Sequence, residues 1–138
     1  MPRRDGWYRK DKAMDIDDIK CEEKVKTVNI LGTEYTIERR KEADDPKLAD
    51  GIDGYCDTSV KLLVICDFEQ DEHCKEDLQA YGLQVLRHEI IHAFIFESGL
   101  DSCSNQFGGG WATNEEMIDW FAIQSPKIFK AFKDVGCL

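Results

Sequence analysis

His88-Glu89-Ile90-Ile91-His92 lies inside a long apolar segment and restricts the fold more than any other stretch of the chain. Leu78, Tyr81, Val85, Leu86, Ile90, Ala93 and Phe94 recur at helical spacing until Ser98-Gly99 ends the run. On such a helix two histidines four residues apart share one face and can grip a single metal ion, while the glutamate beside them polarises a water. Around His88 the segment is apolar on nearly every side, so the helix is expected in the core, where a metal site can be held rigid.

The rest of the chain has to supply something for that helix to pack on. Two β-branched runs flank Leu31-Gly32-Thr33 and predict a hairpin. The polar stretch 39–54 reads as a loop with a short helical turn at 47–49. Gly54-Tyr55-Cys56-Asp57 and Lys61-Leu62-Leu63-Val64-Ile65-Cys66 predict two more strands, the second apolar almost throughout and hence inside the sheet. After the motif helix comes a loop with Gly108-Gly109-Gly110, either a lid or a flexible turn. A second helix is expected from Thr113 to Gln124, ended by Ser125-Pro126, and a last one over 127–135. The expected class is α+β: a small, mostly antiparallel sheet of three to four strands packed on the motif helix and a second helix, plus a C-terminal helix. Residues 1–23, with few apolar positions, read as a poorly ordered arm or surface helix, and 24–138 as a single domain.

Composition narrows the partners. A formal charge of -10 argues against a nucleic-acid partner held by its phosphates. No apolar run is long enough to span a membrane. The charged N-terminus lacks a signal-peptide core, so the expected compartment is the cytoplasm. There Cys21, Cys56, Cys66, Cys74, Cys103 and Cys137 are expected as free thiols, with Cys56 and Cys66 as small core residues. Oligomeric state is not legible.

A catalytic zinc ion, Zn2+, needs three protein ligands and an open position, so His88 and His92 require a partner. His73 precedes the motif in a charged segment and reads as surface. Glu115 and Glu116 are the better candidates, and they point about 100° apart on a helix. Thr113 and Glu116 fit a capping box, which gives Glu116 a structural task. Glu115 lies four residues before Asp119, so Glu115 is expected as the metal ligand and Asp119 as the carboxylate that orients a ligating histidine. Glu89 is then the catalytic base. Tyr55 and Tyr81 are the available oxyanion stabilisers but read better as core aromatics.

HEIIH followed by Asn114-Glu115-Glu116-Met117-Ile118-Asp119-Trp120-Phe121-Ala122 resembles the gluzincin arrangement, HExxH plus a downstream glutamate in an N-E-x-x-x-D pattern. The small size, the preceding strands and the Phe-Ala step are similar to the ImmA/IrrE-type metallopeptidases carried by phages and mobile elements. In that group the second helix usually continues into a Leu-Met-Pro-like segment, where this chain has Gln124-Ser125-Pro126-Lys127. The resemblance implies a minimal zincin-like domain and a zinc-dependent metalloendopeptidase acting on an intracellular protein or peptide, such as a phage or mobile-element regulator. A second reading keeps the zincin fold and metal but uses the cleft to hold a partner, as a regulator or virion component without peptidase activity.

Overall fold

A computed structural model describes residues 26–69, 77–104 and 110–138. The expected arm at 1–23, His73, Cys21, Cys74 and Gly108-Gly109 lie outside the described residues.

Strands β1 (Lys26–Ile30) and β2 (Thr33–Arg40) form the expected hairpin. Leu31 and Gly32 both take positive φ, 50° and 93°, the two-residue turn whose twist matches the flanking strands. Asn29 Oδ1 accepts the Gly32 N–H at 2.9 Å and closes it. The chain then crosses through α1 (Pro46–Ala49), capped by the Asp45 side chain, into β3 (Gly54–Asp57) and β4 (Leu62–Cys66). β4 inserts between β2 and β3, giving the order β1-β2-β4-β3. Because α1 and β3 intervene before the chain turns back, β4 runs parallel to β2, whereas the outer two pairings are antiparallel. The sheet is mixed, and its class and central apolar strand are as the sequence predicts.

Both faces of β4 are covered, which explains its continuous apolar run. Leu63 and Ile65 pack against the motif helix α2 (Leu78–Glu97), while Val64 and Cys66 pack against Leu48 of α1. α2 starts at Asp77, whose side chain accepts the Ala80 N–H at 2.9 Å. It stops at Ser98, followed by Gly99 with φ 78°. Its buried stripe is Gly82, Val85, Leu86, Glu89 and Ala93, so Glu89 occupies a core position. At its other end Glu97 sits where the helix dipole disfavours an acid. Three donors offset that: Tyr35 Oη at 2.7 Å, Lys61 Nζ at 2.5 Å and Thr33 Oγ1 at 3.2 Å.

Past α3 (Leu100–Cys103) and a turn at Trp111–Thr113, α4 (Glu115–Asp134) packs on α2. Two sequence expectations are corrected here. α4 does not end at Ser125-Pro126 but runs through Pro126, so the second helix and the C-terminal helix are one element. Proline removes the N–H that would bond the Ala122 carbonyl. Arg87 Nε of α2 donates to that carbonyl at 2.5 Å instead, replacing the lost bond and tying the two helices together. Nor does the Thr113–Glu116 capping box form. Asn114 takes the extended cap conformation and its Oδ1 accepts the Met117 N–H at 2.8 Å, while the Thr113 hydroxyl donates to Gly110 O at 3.0 Å.

Candidate metal centre

The geometry of the α2–α4 contact brings the expected ligands together. His88 and His92, one turn apart, face α4, and Glu115 opens that helix opposite them. His88 Nε2 lies 3.0 Å from His92 Nε2, and Glu115 Oε2 is 3.0 Å from the first while Oε1 is 3.3 Å from the second. Four ligands at zinc's usual 2.0–2.1 Å stand roughly 3.3 Å apart along the edges of a tetrahedron. The three donors are therefore spaced as such a centre requires, and they are the group of described residues that could hold a metal ion.

Proton bookkeeping points the same way. His88 Nδ1 meets Asp119 Oδ1 at 2.7 Å, the carboxylate one turn beyond Glu115. Nδ1–H donates to Asp119, which in the neutral ring leaves the Nε2 lone pair aimed at the Glu115 carboxylate and at His92. Converging lone pairs favour a shared cation. Burial lowers the pKa of His92, against the pull of Glu115, and so favours the neutral imidazole that binds metal.

Glu89 faces a different side of α2. It is 5% exposed, and among the described residues it has no hydrogen-bond or ion-pair partner. Its carboxylate opens into two adjoining hollows, of about 460 Å³ and 320 Å³, that share Gly54, His88, Glu89 and Glu115. Burial pushes it up to about 7; His88 opposes the rise, and the Glu115 and Asp119 carboxylates add to it. A positive charge in the triad would draw it down again.

The two tyrosines are otherwise engaged. Tyr55 lines the larger hollow, but its hydroxyl donates to Asp45 at 2.6 Å and accepts from Arg40 at 3.0 Å, and burial with the Asp45 bond raises its pKa to about 12. Tyr81 donates to Asp53. Cys56, half-buried beside Glu89, is held as a thiol, since burial pushes it up to about 12. Cys56, Cys66, Cys103 and Cys137 are all free.

Two residues at the site were not singled out from the sequence. Gly54 lies where β3 crosses α2, and a Cβ there would stand 2.7 Å from Val64 O and 2.8 Å from Val85 Cγ1. An isolated glycine at a strand start is the available signal for such a close approach. Asp101 of α3 lines the larger hollow near His92 and follows no spacing template.

No protein-family model matches the chain, and neither a curated protein nor a solved structure is significantly similar to it. What the chain shows by itself is a histidine–histidine–glutamate cluster that could hold a metal ion, beside a buried glutamate without a partner among the described residues.

Proposed function

We propose that this chain is a zinc-dependent peptidase that hydrolyses peptide bonds of a protein or peptide substrate. The observation that carries the reading is the His88–His92–Glu115 triad with tetrahedral donor spacing next to a buried glutamate that has no hydrogen-bond or ion-pair partner among the described residues. A structural zinc site would close with a fourth protein ligand, and among the described residues the donor group has three members.

His88, His92 and Glu115 would hold the zinc, and Asp119 would fix the His88 ring. Bound there, the metal supplies the Lewis acidity that activates water at neutral pH. Glu89 takes a proton from the attacking water and returns it to the leaving amine, a role suited to a carboxylate facing the cleft from a core position. β3, an edge strand of the sheet, lines the cleft through Gly54, Tyr55 and Cys56. Its unpaired edge can align an extended peptide beside Glu89. Neither Tyr55 nor Tyr81 is assigned to the carbonyl oxygen, because both hydroxyls are engaged elsewhere.

A quenched-peptide library incubated with zinc-loaded protein tests this. Cleavage should disappear with a chelator and fall about 100-fold or more in Glu89→Gln, which keeps its zinc. Equal cleavage by wild type and Glu89→Gln would refute the reading.

A further inference from the structure

A third hollow lies away from the metal centre, between α2 and α4, with a volume of about 440 Å³. Its walls are aliphatic and aromatic, chiefly Ile90, Ile91, Phe94, Phe121 and Phe129. Phe94, Phe121 and Phe129 are 41%, 44% and 50% exposed, an arrangement that water disfavours unless something occupies the groove. The volume is in the range of sites that enclose small molecules.

Its polar features are few and of one kind. Arg87 lines the groove and spends Nε on the Ala122 carbonyl, so its two terminal nitrogens have no partner among the described residues. Ser125 is 8% exposed, also lines the groove, and its hydroxyl likewise makes no hydrogen bond there. Ser125 lies three residues beyond Ala122 on α4, so the Arg87–Ala122 bond brings the guanidinium to the turn of α4 that carries Ser125. Among the described residues no carboxylate lines it, in a chain with 28 acidic residues and 18 basic ones. A planar cation with free N–H groups beside a hydroxyl donor is a receptor for a carboxylate, and the apolar trough beside it suits a hydrocarbon chain.

We propose that this groove is a binding site for a single-chain anionic amphiphile, with a carboxylate at Arg87 and Ser125 and an alkyl tail along Phe94, Phe121 and Phe129. The site is separate from the metal triad and does not depend on the peptidase reading. Trp111 lines the groove and provides a fluorescence reporter.

The test is titration of the full chain with decanoate, decanol and decylammonium below their micelle concentrations, followed by tryptophan emission and calorimetry. Decanoate should bind at one site per chain, about tenfold or more tighter than decanol, as expected for a charged hydrogen bond, and decylammonium should be weakest. Arg87→Gln should bring decanoate and decanol within about twofold of each other while decanol affinity stays. Phe129→Asp, which puts a like charge in the trough, should abolish decanoate binding in a folded protein, with far-UV circular dichroism and a cooperative thermal transition as the check on folding. Equal affinities for decanoate and decanol in the wild type would overturn the proposal. So would an Arg87→Gln protein that still prefers decanoate, or no saturable binding together with a dimer in light scattering, which would assign the face to a second copy of the chain.

Discussion

The His88 ring ties the account together because each of its nitrogens has a different neighbour: Asp119 at Nδ1 and the other two donors at Nε2. Removing Asp119's charge should loosen the metal without removing a ligand. Asp119→Asn is expected to weaken zinc affinity about 10–100-fold, measured by competition with a chromophoric chelator. Glu115→Gln should lose the metal after dialysis. Glu116→Gln should keep it, with a stability change within about 0.5 kcal/mol, since Glu116 is exposed and caps nothing. At this scale His88, Glu89 and His92 were legible as a motif, and Glu115 with Asp119 from their four-residue spacing. The Thr113–Glu116 capping box, which in the sequence favours Glu115 over Glu116 as ligand, does not form. Thr113 and Asn114 are both good cap residues, and composition alone does not say which one takes the extended backbone. Asn114→Ala should therefore cost about 1 kcal/mol by chemical denaturation, and Thr113→Val much less. Asp101 was missed because its approach to His92 depends on how α3 folds back after Gly99.

Among elements, α4 matters most, because it carries Glu115 and Asp119 and must lie in register with α2. Ser125-Pro126 predicts its end, since proline ordinarily breaks an interior helical bond. What the local pattern does not contain is Arg87, thirty-five residues earlier in sequence, whose Nε takes over the orphaned Ala122 carbonyl. A double-mutant cycle measures that substitution. Arg87→Met should destabilise the wild type by about 1 kcal/mol more than it destabilises Pro126→Ala, where the Ala122 carbonyl regains a helical N–H. Strands were easier to read: β4 was placed inside the sheet from its apolar run, and the hairpin from its glycine turn. The parallel β2–β4 pairing was not, because strand order depends on where the crossover through α1 and β3 leaves the chain. Gly54→Ala should force β3 away from Val64 O and Val85, costing about 1–3 kcal/mol and disturbing the cleft wall.

Over the whole molecule, sheet and helices are joined by two buttresses, each a carboxylate met by a cation and a tyrosine. Glu97 at the end of α2 meets Lys61, Tyr35 and Thr33, and Asp45 at the start of α1 meets Tyr55 and Arg40. Those partners hold both carboxyls below their usual range: for Glu97 the Lys61 bond leads, for Asp45 the Tyr55 bond. A carboxyl depressed in the folded state contributes stability above its unfolded pKa, about 4, and loses it as pH falls further. Through these two carboxyls Tm is expected to fall below about pH 4, with a shallower fall in Glu97→Gln. No helix among the described residues is long and apolar enough to cross a membrane. X-ray absorption at the zinc edge on protein purified without added metal, with elemental analysis, shows whether the α2–α4 contact assembles a three-ligand zinc site. One zinc per chain is expected, with nitrogen and oxygen neighbours at about 2.0–2.1 Å, no sulfur, and loss of the ion in Glu115→Gln. A sulfur neighbour, or a zinc that survives in Glu115→Gln with unchanged spectrum, would contradict it.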